Sequence, residues 1–227
     1  MSGVWGVVPV KRLAGAKQRL SSCLSHEERR ALATIMLEDV LDALTAVREL
    51  AGVLVVTVDP VASSLASRYG ARIVTEVAQE GHTGAVAAAV RHLLHYGEAG
   101  MMTMPGDIPA TSSAEIASTL AAHRPAPAFT IVPARDDLGS NTIICSPPDA
   151  VPLRFGDDSF HPHLEAARSR GIEPLIVRQR GIAMDIDHPA DLVTFLRLSQ
   201  PAPSRTLGFL QQSGIADRLL TQNQDCR

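Results

Sequence analysis

What most constrains the fold of this chain is the alternation of short, Val-rich apolar runs with segments of helical period. Residues 3–10 (GVWGVVPV) and 52–58 (GVLVVTV) are such runs, and 71–75 and 101–104 supply two more. Runs that are apolar at nearly every position suit strands covered on both faces. The helices between them have readable ends. Ser25-His26-Glu27-Glu28 has the S-x-x-E form of a capping box, after which Leu32, Ile35, Met36, Val40, Leu44 and Val47 recur at helical spacing. Asp59-Pro60 reads as an N-cap with a first-turn proline, and Gly70 as the stop. Residues 83–95 have helical period up to Gly97, and Ser112 with Glu115 forms another capping box opening a helix to about His123. This order predicts an α/β protein with a mostly parallel, doubly wound, Rossmann-like sheet. In such sheets ligands bind beyond the carboxyl ends of the strands, so the polar residues just after each run matter most.

Further along, 129–132 and 142–145 predict strands flanking a polar loop, and Ser159 caps a helix ending near Gly171. Residues 174–178 and 183–186 predict two more strands, and His188-Pro189 starts a further helix. After Leu198 comes SQPAPSR, a linker-like stretch, then an amphipathic segment at 207–220 and a polar tail. The expected division is one domain over 1–198 and an appendage over 199–227. That appendage can pack on the domain, pack on a neighbour as in a homodimer, or stay mobile.

Several classes are excluded. The longest apolar stretches, 52–58 and 101–104, fall far short of the ~20 residues that span a bilayer. A net charge of −3 provides no bulk field for nucleic acid, and 4% aromatics leaves few stacking platforms. The start, MSGVWGVVPVKR, lacks the form of a signal peptide. Cys23, Cys145 and Cys226 are far apart and form no CxxC pair, so free thiols in a cytoplasmic chain are the expectation.

Six segments carry candidate chemistry. After the first strand, VPVKRLAGAKQRL places Lys11, Arg12, Lys17 and Arg19 close together. It matches neither the G-x-x-x-x-G-K-[ST] phosphate loop nor G-x-G-x-x-G, yet its cations could neutralise a triphosphate; the alternative is a solvated basic turn. Asp107 follows an apolar run, too far upstream to cap the Ser112 helix, and suits a Mg²⁺ ligand. Asp185 and Asp187 flank one apolar residue and share a face if extended, which favours a cation between them; the alternative is that Asp187 or His188 caps the next helix. His82 and Thr83 open a helix and could contact base or ribose, or simply face solvent. The loops DLGSNT and FGDDSF pair glycine with hydroxyls, and the second opens a helix, a ready anion site. His161 and His163 diverge at helical spacing, so they do not read as a metal pair.

The order VPVKRLAGAKQRL, TMPGDIP, DDLGSNT, FGDDSFHPH and DIDHPADL resembles the 2-phospho-L-lactate guanylyltransferase family of coenzyme F-420 biosynthesis. Its relatives include the molybdenum-cofactor guanylyltransferases and the sugar-nucleotide pyrophosphorylases. The resemblance runs from about Val4 to Leu198, and GSNT followed by FGxxSFxxH is its most discriminating part. It implies a nucleotide-diphospho-sugar-transferase-like fold, GTP as donor, Mg²⁺ as cofactor, and a small phosphorylated carboxylic acid as acceptor. By position it implies that Lys17, with Lys11 nearby, contacts the nucleotide phosphates; with Arg19 from the same loop, and His82 and Thr83 toward base or ribose, these make up the expected nucleotide site. It further implies Asp107, Asp185 and Asp187 as metal ligands, and Thr142, Gly156 and Ser159 as the acceptor site. Lys17 and Asp107 are then the catalytic candidates. Where many relatives carry a GLN-type turn, this chain has GHTGA, which is more similar to members acting on 3-phospho-D-glycerate than to those acting on 2-phospho-L-lactate or phosphoenolpyruvate. A nucleotide-sugar-dependent glycosyltransferase and a non-catalytic nucleotide-binding regulator are the competing readings.

Overall fold

The strands are β1 (Val4–Val10), β2 (Gly52–Thr57), β3 (Arg72–Val74), β4 (Gly100–Thr103), β5 (Ala128–Pro133), β6 (Ser140–Ser146) and β7 (Leu175–Ile176). They lie in one sheet in the order β3-β2-β1-β4-β6-β5-β7. All neighbours are parallel except β6, which runs antiparallel to both β4 and β5. The computed structural model describes residues 3–75, 81–156, 158–198 and 204–222. Glu80, Asp157, most of the linker-like stretch and Cys226 lie outside the described residues.

Period-two alternation assigns the two faces. On one, Val8, Val53, Val55 and Met102 pack with α1 (His26–Thr45), α2 (Pro60–Arg68) and α4 (Ser113–Ala122). On the other, Val7, Leu54, Val56 and Met101 meet α3 (Gly81–His95), while Phe129, Ile131, Ile143 and Cys145 meet α5 (Phe160–Ser169). Both predicted capping boxes form, at Ser25 with Glu28 and at Ser112 with Glu115. Gly70, at φ 68°, follows α2 and turns the chain into β3. Burial drives the Cys145 thiol pKa up to about 12, consistent with its place inside β6.

Two expectations are corrected. Residues 183–186 form no strand: the segment begins in a turn, with Ala183 N–H bonded back to the Gln179 carbonyl and Met184 N–H to that of Gly181. The segment bonds across to other elements through the Ala183 carbonyl, which accepts from Arg135 N–H, and through Ile186 N–H, which donates to the Asp107 carbonyl, each at 3.1 Å, and it retains alternation. Met184 and Ile186 are buried, and the carboxylates of Asp185 and Asp187 are left half-buried. Ser159 precedes α5 but does not cap it through its side chain, which turns to Ser140 instead.

α6 (Pro189–Arg197) is followed by α7 (Arg205–Gln212) and α8 (Ile215–Gln222). Leu210, Ile215 and Leu219 join Leu32, Met36 and Phe195 in one cluster, so this segment packs against α1 and α6. Asp39 in α1 anchors it: Oδ1 accepts from Arg205 N–H and Oδ2 from Thr206 N–H, each at 2.9 Å. Both bonds reach a buried carboxylate that meets the amino end of α7. Asp39→Ala is expected to lower unfolding free energy by about 1.5–3 kcal/mol, measured by urea titration. No helix among the described residues is long and apolar enough to cross a membrane.

Candidate active site

β1 leads to β2 and β3 on one side of the sheet, and the chain then returns to place β4 on the other. The crevice beyond the carboxyl ends of β1 and β4 is therefore the topological switch point, where such sheets bind ligands. The cationic loop enters it from β1 and Asp107 from β4.

The loop is fixed at both ends. The Leu13 N–H donates to Asp59 Oδ2 at 2.9 Å, and Leu20 is fully buried. Asp59 also caps α2, its Oδ1 accepting from the N–H groups of Val61 and Ala62. Between these anchors Lys17 adopts a left-handed conformation, φ 56° and ψ 42°. A non-glycine residue there costs on the order of 1 kcal/mol or more, and such strain gathers at functional sites. The Lys17 side chain is only 7% exposed, and its Nζ lies 2.6 Å from Asp107 Oδ2 and 2.7 Å from Asp187 Oδ1. Arg19 approaches Asp187 from outside at 3.6 Å.

Burial opposes the Lys17 charge, but Asp107 and Asp187 outweigh it and hold the ammonium pKa above the ordinary lysine value. Burial also works against the Asp187 charge, yet Lys17, then Arg19, bring its pKa below the carboxylate range. Asp185 goes the other way: burial raises its pKa, with Asp107 and Asp187 adding to the rise, while Asn141 Nδ2 donates to its Oδ1 at 3.2 Å.

Two adjoining lobes of about 650 and 630 Å³ make up the cleft, and Lys11, Arg19, His82, Asp107 and Asp187 line both. The first is walled by the β1 loop and includes Lys17. The second is walled by Ser140, Gly156, Ser159 and Asp185, among others. The half-buried His82 ring stands 4.3 Å from that of Phe155, and burial pushes its pKa down to about 4, so it is neutral at pH 7.

Three expected residues have surroundings that the sequence did not announce. Thr83 faces the cleft, but its hydroxyl accepts from Phe155 N–H at 3.0 Å and donates to the Phe155 carbonyl at 3.4 Å. It holds a wall loop in place, which leaves it little to offer a nucleotide. Thr142 is buried in β6 opposite Val132 and does not line either lobe. Asp185 reaches the same cleft as Asp107 and Asp187 but not one coordination sphere with them. Among the described residues no three His, Cys, Asp or Glu side chains are grouped to hold a metal ion. The pair Asp107 and Asp187 does fit a hard cation, since two carboxylate oxygens already converge on one positive group, the Lys17 ammonium.

Asp59, Ser140 and His163 act at or beneath the site beyond what their sequence context announced. Asp59 was legible as a cap, but not as the clamp on Leu13. Ser140 reaches the cleft because β6 carries one extra residue against β5, with Val132 opposite Thr142 and Pro133 opposite Ser140. His161 is exposed and His163 buried, so the two diverge as expected.

A family model described as "Guanylyl transferase CofC like" matches residues 5–216. A phosphoenolpyruvate guanylyltransferase of Conexibacter woesei is 34% identical over 96% of this chain and 97% of its own. A 3-phospho-D-glycerate guanylyltransferase of Colwellia psychrerythraea is 33% identical over 86% of this chain and 92% of its own. A 2-phospho-L-lactate guanylyltransferase of Methanothermobacter thermautotrophicus is 34% identical over 82% of this chain and 81% of its own. Among solved structures, a protein of Desulfovibrio desulfuricans G20 provisionally assigned as a nucleotide-diphospho-sugar transferase superposes with a TM-score of 0.74 at 20% identity, covering 98% of both chains. At that identity the likeness shows the fold alone.

Proposed function

Because the chain belongs to the CofC-like guanylyl transferase family, we propose that it transfers GMP from GTP to the phosphate of a small phosphorylated carboxylic acid and releases pyrophosphate, as a step in coenzyme F-420 biosynthesis. The observation that carries this is the meeting of Lys17, Asp107 and Asp187 where the two lobes join. The first lobe is walled by the cationic β1 loop and suits a triphosphate; the second sets Lys11, Arg19, Arg135 and the Ser140 hydroxyl among five aspartates, and its cations and hydroxyl suit a small acid.

An acceptor phosphate oxygen attacks the α-phosphorus of GTP, the bond to the bridging oxygen of the β-phosphate breaks, and pyrophosphate leaves. A phosphomonoester has its second pKa near ~6 and is already largely ionised at pH 7, so no general base is required. The obstacle is charge: two unit charges 4 Å apart repel by roughly 4 kcal/mol at an effective dielectric of 20. Lys17, Lys11 and Arg19 offset that repulsion and stabilise the charge that develops on the leaving pyrophosphate. Asp107 and Asp187 are the residues that would hold Mg²⁺, which when bound supplies further countercharge to the phosphates. Neutral His82 suits a contact with base or ribose better than one with phosphate. Gly156 and Ser159, with Ser140, form the wall that orients the acceptor.

Relatives named for phosphoenolpyruvate stand at 34–37% identity, and those named for 3-phospho-D-glycerate and 2-phospho-L-lactate at 33% and 34%, too narrow a spread to choose among the acids. The GHT sequence that opens α3 at 81–83 favours 3-phospho-D-glycerate. Pyrophosphate release is the test, with GTP and each of 3-phospho-D-glycerate, phosphoenolpyruvate and 2-phospho-L-lactate. Release that requires both GTP and one acid is expected. No release with any of the three would overturn the proposal, and sugar transfer from a nucleotide sugar would replace it with glycosyl transfer.

A further inference from the structure

Behind the wall of the second lobe lies a closed chain of hydrogen bonds. The Arg154 N–H donates to His163 Nε2 at 3.0 Å. That fixes Nε2 as the acceptor and leaves the ring hydrogen on Nδ1, which stands 2.9 Å from Ser140 Oγ. His163 is 1% exposed, and burial, with His82 nearby, lowers its pKa to about 4, so the single-proton tautomer persists at working pH. On the other side, Ser159 Oγ accepts from Ser140 N–H at 3.1 Å and donates to Ser140 Oγ, also at 3.1 Å. Ser159 is 3% exposed, and its own N–H is taken by the Leu138 carbonyl. A buried hydroxyl must place its hydrogen inside the protein, and Ser140 Oγ receives it.

The count of protons then decides which group meets a ligand. Ser140 Oγ accepts from His163 and from Ser159, which uses both its lone pairs. Its hydrogen is left over, and Ser140 is the half-buried member of the three, at the cleft wall. Resting on the acceptor lobe proposed above, we infer that Ser140 is the hydroxyl that donates to an anionic oxygen of the acceptor acid, with His163 and Ser159 as positioning residues behind it. The arrangement leaves Ser140 only a donor to offer. It selects for a carboxylate or phosphate oxygen at that point and against a hydroxyl or ammonium group that must itself donate.

The experiment uses the full chain and whichever of the three acids it turns over, with KM for the acid and for GTP measured separately. Ser140→Ala is expected to raise the acid's KM about tenfold or more, the loss of one hydrogen bond to a charged group, with the GTP KM unchanged. His163→Phe, which keeps an aromatic ring beside Phe155, is expected to raise the acid's KM in the same sense. His163→Asn, which restores a donor near the place of Nδ1, is expected to recover part of the loss. In the Ser140→Ala background, His163→Phe is expected to add little, because both act through one hydroxyl. An unchanged acid KM in Ser140→Ala overturns the inference, as does an equal rise in the GTP KM or full additivity of the two changes. If His163→Phe does not fold, Ser140→Ala and His163→Asn decide. Turnover of no acid at all defeats the guanylyl transfer proposal itself, whereas turnover with an unmoved acid KM defeats only the role of Ser140.

Discussion

The Asp107→Asn protein is expected to lose guanylyl transfer by roughly 10²- to 10³-fold, the scale of removing one preorganised electrostatic group from a transition state. The change is isosteric, so size and packing are kept. Its backbone carbonyl, which accepts from Ile186 N–H, is untouched, and Lys17 keeps its contact with Asp187 at 2.7 Å. Unfolding by urea should shift by only about 1–2 kcal/mol, because the buried ammonium loses one of its two carboxylates and keeps the other, while turnover collapses. The carboxamide lacks the negative charge that would hold a divalent ion against the phosphates, and raising Mg²⁺ should restore only part of the rate. Near-normal turnover at ordinary Mg²⁺ would remove Asp107 from the chemistry.

A change on the opposite side of the same ion pair has a double effect. Lys17→Met is expected to cut turnover by about 10²-fold or more, because the proposed countercharge to the leaving pyrophosphate is lost. It also leaves Asp107 and Asp187 facing each other without the ammonium between them. A fully buried pair broken this way costs ~3–5 kcal/mol; here the carboxylates are 30% and 40% exposed, so about 1–3 kcal/mol is the expected loss. Methionine inherits the same left-handed backbone, so that strain cancels in the comparison.

The pH dependence has a definite sign. The Asp187 pKa is lowered in the folded state, so its contribution is present above the ordinary carboxylate value and lost as pH falls through the folded value. The Lys17 pKa is raised, so its contribution is present below the ordinary lysine value and lost as pH rises through the folded value. The stability advantage of the wild type over Lys17→Met should thus be level between about pH 5 and pH 9 and shrink on either side. Denaturant titrations across that range check it. A difference growing steadily toward low pH would mean that the pair does not stabilise the fold.

Much of the fold is legible in short windows of sequence. Val-rich runs, capping boxes at Ser25 and Ser112, and the Asp59-Pro60 helix start form as read, because propensity and capping depend on neighbours a few residues away. The failures have a common form. Residues 183–186 carry strand-like alternation, but their backbone turns back on Gln179 and Gly181 instead of pairing along a strand. Thr142 sits in a motif typical of a binding loop, but a bulge delivers Ser140 to the wall instead. Thr83 faces the cleft as read, but its hydroxyl's bond to the Phe155 backbone has no local signature.

From the chain alone came the mostly parallel α/β sheet, the switch-point location and the residue types that a charged reaction needs. Only the folded molecule decided which of them touch. Lys17 meets Asp107 and Asp187 across sequence separations of 90 and 170 residues, and Ser140 meets His163 across 23. Local chemistry selects elements because hydrogen bonds and caps act within a few residues. Partners at such distances are chosen by strand order, by a bulge, and by the buried anchors Leu13 and Leu20, none of which has a local signature.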